Sequence, residues 1–294
     1  MGAAVNGPVI DVPGLQELLA AGGPVVLLDV RWALGSTDGF KQYQRGHIPG
    51  AVYVDLEKEL AAPAGNGAAG RHPLPDPREF ERTARSWGIS AGDTVVVYDA
   101  VSGTSAARAW WLLRHAGMES VYLLDGGVVA WHRAGLALEG GSVVPRPGDV
   151  ELTWDRMPIL EMWDVPAQLA AGRLLDARAK ERYRGDREPV DPIPGHIPGA
   201  VNAPATENLS AEGTFRSPGE LRAAFGALGV RSGAPVAVYC GSGITAAHEV
   251  VALELAGYKA ALYPGSWSQW SSTKGSPVAT GQQPGEWPGT GQRR

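Results

Sequence analysis

VAVYCGSGITAAHEV, residues 236–250, contains the only cysteine in a chain of 294 residues. Val236 to Tyr239 form a short apolar run of β-favouring residues, and Cys240 ends it. Gly241, Ser242 and Gly243 carry little side chain, and from Thr245 apolar residues recur at helical spacing as far as Gly257. The next apolar run, AALYPG at 260–265, reads as another strand, and LLDA at 174–177 upstream as a third. Between LLDA and VAVY, SPGELRAAFGALG at 217–229 reads as a helix with Ser217 as cap and Gly229 as stop. Strand and helix in alternation specify an α/β fold, a parallel sheet flanked by helices. In such sheets ligands gather at the carboxyl ends of the strands, which is where Cys240 falls.

The surrounding chain shows that this unit occurs twice. VVLLDVRW at 25–32 returns as RLLDARAK at 173–180, and RGHIPGAVYVD at 45–55 as PGHIPGAVNAP at 194–204. TVVVYDA at 94–100 matches PVAVYCG at 235–241, and LLDGGVVAW at 123–131 matches LYPGSWSQW at 262–270. Four blocks in one order make a tandem duplication rather than a short-period solenoid. The expected organisation is a first domain over 8–138, a Gly/Pro-rich exposed linker over 139–157, a second domain over 158–275 and a tail over 276–294. The tail lacks apolar periodicity, so poor order is expected there, with Trp287 lying over the other domain.

Composition excludes several classes. The formal net charge is −5 and basic residues are scattered, so neither nucleic acid nor an anionic membrane surface is an expected partner. No apolar run reaches the ~18 residues of a membrane span, and the start has neither a basic nor a long apolar segment. Met1-Gly2 resembles a myristoylation start without the Ser or Thr that should follow. A soluble, cytoplasmic protein is expected. One cysteine allows no intramolecular disulfide and no multi-cysteine metal site, so a reducing compartment fits.

Small residues after Cys240 let backbone N–H groups turn toward one point, together with the first turn of the next helix. That field favours thiolate over thiol and makes Cys240 a nucleophile; the same amides would hold an anion that replaced it. The first copy has Asp99 at this position, followed by a loop one residue longer, AVSGTSAAR. A carboxylate there repels an anionic substrate and has no thiol chemistry, so the first copy is expected to be inert.

Tandem copies carrying GHIPGA, LLDGG and GSW, with Cys in CGSGIT of the second, are similar to the two-domain rhodanese sulfurtransferases over residues 8 to 275. The resemblance implies tandem rhodanese-like domains and a sulfur relay without metal or organic cofactor. Cys240 would take sulfur from a small anionic donor as a persulfide, cradled by Gly241, Ser242, Gly243, Ile244 and Thr245. It would then pass the sulfur to cyanide, a thiol or a thioredoxin-like acceptor. The neutral CGSG loop resembles members that use 3-mercaptopyruvate, with thiosulfate as the alternative donor. In that group a Cys–Ser–Asp relay implies Cys240, Ser242 and Glu57, with Asp55 nearby as another candidate.

Two arginines hold the donor carboxylate in that group. The first falls on Arg182; the second has no counterpart, since Val190 follows Pro189, leaving Arg184 or Arg187 to substitute. His72 in GRHPLP matches a histidine near the substrate entrance. His47 and His196, present in both copies, are expected to fix a turn. His248 lies about two helical turns, roughly 10 Å, beyond the loop. Trp32, Trp267 and Trp270 are expected to pack between domains. A cysteine phosphatase needs an arginine closing the loop, and Cys240 to Ala246 has none. A non-enzymatic sulfur-carrying or binding module is the remaining rival. Because each copy can bury a face against the other, a monomer is expected.

Overall fold

The computed structural model describes residues 7–65 and 67–288; the Met1-Gly2 start and the last part of the tail, 289–294, lie outside them. Contacts divide the chain into two compact units. The first contains the chain up to Ala62 with Leu74–Met157 and Ala211–Phe215. The second contains Pro63–Pro73, Pro158–Ser210 and the chain from Arg216 onward. The units are thus not the two continuous stretches expected from the sequence: each takes in a short segment from beyond its own copy.

The first unit runs β1 (Val9–Ile10), α1 (Val12–Ala20), β2 (Val25–Asp29), α2 (Gly39–Arg45), β3 (Val52–Tyr53), α3 (Leu56–Glu59), α4 (Pro77–Ser86), β4 (Thr94–Tyr98), α5 (Ala106–His115), β5 (Val121–Leu124) and α6 (Gly127–Arg133). Its five strands are all parallel, in the order β1-β5-β4-β2-β3. The second unit runs α7 (Val165–Ala171), β6 (Arg173–Asp176), α8 (Lys180–Arg184), β7 (Val201–Asn202), α9 (Pro218–Ala227), β8 (Val236–Tyr239), α10 (Thr245–Leu255), β9 (Ala260–Leu262) and α11 (Ser266–Ser272). Its strands are parallel in the order β7-β6-β8-β9, and the place of β1 is taken by a single bridge, Ile159 to Leu262.

Local chemistry sets these elements. Asp11 caps α1 by accepting from Gly14 N at 2.8 Å, with Pro13 in the first turn. Ser217 and Glu220 form a reciprocal capping box at α9. Strands β4 and β8 are apolar and buried along almost their whole length, as central parallel strands covered on both faces must be. The repeat extends to side chains. Asp29 pairs across the sheet with Tyr98 as Asp176 does with Tyr239, and each tyrosine hydroxyl accepts from the isoleucine amide of the HIPG turn, Ile48 at 3.0 Å and Ile197 at 3.1 Å.

Each unit is closed by a strap against that turn. Glu139 forms an antiparallel bridge with His47, and Ala279 with His196. His47 stacks on Tyr43 and His196 on Tyr183, so both histidines fix turns, as expected. The presumed linker, residues 139–157, is no free tether: Gly148, Val150 and Thr153 donate to Arg85, Ile89 and Ala116 of the first unit. Likewise residues 276–288 pack on the second unit itself. Gly199 N donates to Pro284 O and Trp287 meets Trp270 with ring centroids 6.0 Å apart, so Trp287 covers its own domain. Trp267 and Trp270, expected between domains, belong to the second unit's core. Among the described residues no helix is long and apolar enough to cross a membrane.

Candidate active site

Cys240 sits at the carboxyl end of β8, flanked by β6 and β9, and is 2% exposed. Its backbone is clamped from α11. Cys240 N donates to Ser266 Oγ at 3.1 Å, Trp267 N donates to Cys240 O and Ser268 N to Gly241 O, both at 2.9 Å. Ser266 adopts φ 52°, a left-handed conformation that costs a non-glycine residue about 1–2 kcal/mol. The first unit has Gly127 there, at φ 56°. The serine therefore supplies an acceptor that glycine cannot, at the residue behind the thiol.

The loop then turns through Gly243, φ 80°, whose N–H donates to Cys240 Sγ at 3.2 Å. Ile244 and Thr245 lead directly into α10, whose first-turn N–H groups have no intrahelical acceptor. In the equivalent loop of the first unit, one residue longer, such amides close on a carboxylate. Asp99 Oδ1 accepts from Val101 and Gly103 and Oδ2 from Ser105 and Ala106, at 2.8, 2.8, 2.8 and 3.0 Å. Burial pushes the Asp99 carboxyl up while these four donors pull it down.

Two guanidinium groups flank Gly241. A Cβ placed on that glycine would lie 3.1 Å from Arg71 Nη2 and 3.2 Å from Arg182 Nη1. Arg182, on α8, binds Glu188 through Nε at 3.2 Å and Nη2 at 2.7 Å, and its Nη2 also reaches Asp191 at 3.1 Å. Arg71 pairs with Asp191 through Nη1. Burial raises Glu188, but the Arg182 hydrogen bond and the amides of Asp191 and Val190 outweigh it and hold the carboxyl below its ordinary value. Burial and the neighbouring Glu188 push Asp191 up, against the opposing charges of Arg71 and Arg182.

Arg71 arrives on the 63–73 segment, which is docked by specific contacts. Its own N–H donates to Ser268 Oγ at 3.1 Å, and Gln269 Nε2 donates to Ala68 O at 3.0 Å. Gly70 has φ 88°, and a Cβ there would meet Gly265 O at 2.6 Å, so only glycine fits. The same segment brings His72, whose Nδ1 lies 2.7 Å from Ser242 Oγ, both side chains buried.

Of the residues expected from the sequence, the structure thus gathers Cys240, Gly241, Ser242, Gly243, Ile244, Thr245, Arg182 and His72 in one unit. Glu57 lies on α3 of the first unit, where its Oε1 accepts from Trp32 Nε1 at 2.7 Å; Asp55 holds Lys58. The second cation beside the loop is Arg71, not Arg184 or Arg187; Arg187 is exposed. Arg71, Glu188, Asp191 and Ser266 were not singled out in the sequence; the one local signal was Arg71's place beside His72. Arg178 was also missed. It is buried, holds Asp176 at 2.6 Å and lies over Trp267 at 4.6 Å, and the matching Arg31–Asp29 pair in the first unit marks it as scaffold.

One more buried acid stands close by. Glu249, on α10, accepts from Asn208 Nδ2 at 2.6 Å through Oε2, while Oε1 is buried without a partner among the described residues. Burial pushes its carboxyl up to about 8, so the group is largely protonated at neutral pH.

Comparison with known proteins agrees with this geometry. The rhodanese-like domain profile matches residues 12–134 and 162–273. SseB of Mycobacterium tuberculosis, provisionally named a thiosulfate sulfurtransferase, is 46% identical over 276 residues, 93% of this chain and 97% of that one. The human 3-mercaptopyruvate sulfurtransferase is 38% identical over 261 residues, 85% of this chain and 86% of the relative. The crystal structure of SseA from Escherichia coli superimposes with a TM-score of 0.79 at 34% identity, covering 89% of this chain and 99% of that one. The chain belongs to the rhodanese family, as a sulfurtransferase of two rhodanese-like domains.

Proposed function

We propose that the second unit carries sulfur as a persulfide on Cys240, with 3-mercaptopyruvate as the favoured donor. The Cys240 thiolate attacks the donor's sulfur; the new S–S bond forms as the donor's C–S bond breaks. The electron pair leaves on carbon as the enolate of pyruvate, which takes up a proton to give pyruvate. The terminal persulfide sulfur is the anion that the amides of Gly241 to Thr245 would hold. A nucleophilic acceptor, cyanide in an assay and a thiol or thioredoxin-like protein in the cell, then attacks that outer sulfur and restores the thiolate.

The observation that carries this reading is the Gly243 N–H on Cys240 Sγ, in a loop whose sister loop already holds a carboxylate by four amides. Ser242, in contact with His72, is the group within the unit suited to pass a proton toward the leaving enolate. Glu57 is proposed as the acid of that relay from the family resemblance, and Arg182 as a donor-binding cation. One unit of charge on 3-mercaptopyruvate suits a site in which the arginines are already partly balanced by Glu188 and Asp191. Thiosulfate remains the competing donor, favoured by the SseB likeness. A single polypeptide in solution and a compartment that keeps Cys240 reduced complete the reading.

The experiment is mass spectrometry of intact protein after incubation with donor. A gain of one sulfur on Cys240, absent in Cys240→Ser, is expected; a gain that survives the substitution would refute the mechanism. Comparing kcat/KM for 3-mercaptopyruvate and thiosulfate decides the donor.

A further inference from the structure

We propose that Arg71 is the principal carboxylate-binding residue of the donor site, and that Asp191 positions it. The inference rests on the persulfide reading above and names how its donor is recognised.

A carboxylate is best held by two parallel N–H donors from one edge of a guanidinium plane. In Arg182 the Nε/Nη2 edge is already filled: both atoms donate to Glu188, and Nη2 is shared with Asp191. Both terminal nitrogens of Arg182 lie near Gly241, Nη1 at 3.2 Å and Nη2 at 3.6 Å from a Cβ placed there, but Nη2 is already engaged by the two carboxylates, so Arg182 offers Nη1 alone. Arg71 is arranged the opposite way. Its Nη1 holds Asp191, its Nη2 faces Gly241, and its Nε is buried with no hydrogen-bond partner among the described residues. A buried, unsatisfied N–H costs free energy unless something supplies an acceptor. The Nε/Nη2 edge of Arg71 is thus the fork that lacks an acceptor among the described residues, beside the residue that follows Cys240.

The setting of this fork is fixed rather than incidental. The two oxygens of Asp191 are divided between the arginines, Oδ1 to Arg71 and Oδ2 to Arg182, which holds the two planes side by side. The backbone of Arg71 is held by Ser268, the residue whose own N–H grips Gly241 O. The fork and the thiol loop are therefore attached to the same turn of α11. Position 190, where a second cation would be sought, holds Val190, and the neighbouring Asp191 pairs with Arg71 from a segment far away in the chain.

The test compares a carboxylate donor, 3-mercaptopyruvate, with a carboxylate-free donor, inorganic polysulfide, in wild-type protein and in Arg71→Met. The expected result is a KM for 3-mercaptopyruvate raised about 10- to 100-fold, the range for losing a hydrogen-bonded charge, with kcat changed by less than about threefold. Sulfur loading of Cys240 from polysulfide, an anion without a carboxylate, is expected to fall clearly less than transfer from 3-mercaptopyruvate. Arg71→Lys, which keeps the charge and the pairing with Asp191 but lacks the fork, should give an intermediate KM and guards against misfolding of the methionine variant. An unchanged KM in both variants would overturn the proposal, and so would an equal loss with both donors, which would reduce Arg71 to a prop for its loop. If wild-type protein takes no sulfur from 3-mercaptopyruvate at all, the donor reading itself falls; if it does and Arg71→Met is indistinguishable, only the role of Arg71 falls.

Discussion

The two loops that follow the central strands, Asp99 to Ala106 and Cys240 to Thr245, share one design and differ in what fills it. Both leave a buried strand at its carboxyl end, both turn through a left-handed glycine, Gly103 or Gly243, and both enter a helix. In the first, four inward amides close on the carboxylate of Asp99. In the second, a sulfur takes one amide, and the loop is bordered by arginines instead. A chain that binds its own anion has satisfied its donors and has no further use for a ligand. A loop that holds a thiol in that place keeps a nucleophile there, which is the site proposed above. The duplication thus separates the structural value of the turn from its chemical value within one molecule.

The largest effect should come from copying the first loop into the second. Cys240→Asp is expected to lower sulfur transfer by at least about 1,000-fold in steady-state assays with cyanide as acceptor, because the nucleophile is gone. Measurable turnover in that variant would mean that a nucleophile lies elsewhere and would end the comparison. The reverse loss is thermodynamic. Asp99→Ala leaves four amides without their acceptor and should destabilise the first unit by about 2–4 kcal/mol. Urea denaturation followed by Trp fluorescence reads this out, while sulfur loading at Cys240 in the folded variant should persist. An unchanged denaturation midpoint would show that the Asp99 cradle contributes nothing to the fold.

These contrasts explain what the sequence disclosed. The alternation of strand and helix, the duplication and the position of Cys240 depend on neighbours within a few residues, so periodicity and repeated blocks carry them. The cation site does not. Arg71 meets Asp191 across 120 residues and His72 meets Ser242 across 170, and nothing local distinguishes GRHPLP from any polar loop. The segments over 139–157 and 276–288 depart from the sequence expectation for a related reason. Gly and Pro suit an exposed tether, but they equally suit an extended strap whose hold comes from backbone hydrogen bonds, as at Gly148 and Ala279, which hydropathy does not register.

A pH experiment sharpens the difference between the helices behind the loops. Glu249 on α10 faces Asn208 and has its carboxyl raised from 4.5 to about 8, whereas α5 carries no acidic residue. The folded state therefore holds the proton more tightly than the unfolded chain. That stabilisation is complete below about 4.5 and is lost as pH rises toward about 8, since unfolding then releases a proton. Glu249→Gln keeps the acceptor for Asn208 and removes the titration. Its stability relative to wild type should rise with pH, by up to about 4 kcal/mol between pH 5 and pH 9. A wild-type/variant difference that is flat from pH 5 to pH 9 would place the Glu249 carboxyl in its ordinary range.

The smallest effect concerns the residue behind the thiol. Ser266→Gly makes the second loop resemble the first, where Gly127 occupies the same left-handed position. Relief of the conformation favours the variant by about 1–2 kcal/mol, and loss of the Oγ acceptor for Cys240 N–H opposes it by a similar amount, about 1 kcal/mol. Thermal stability should accordingly move by no more than about 1 kcal/mol in either direction. The consequence should instead appear in rate. Without Ser266 Oγ the Cys240 amide loses this acceptor, the peptide behind the sulfur gains freedom, and kcat should fall several-fold with KM for the donor nearly unchanged. A Ser266→Gly enzyme more stable than wild type and equally fast would show the strained serine to be dispensable. One slower at equal stability would show that the strain in the second loop serves to hold the thiol, which the first loop, with no thiol to hold, does without.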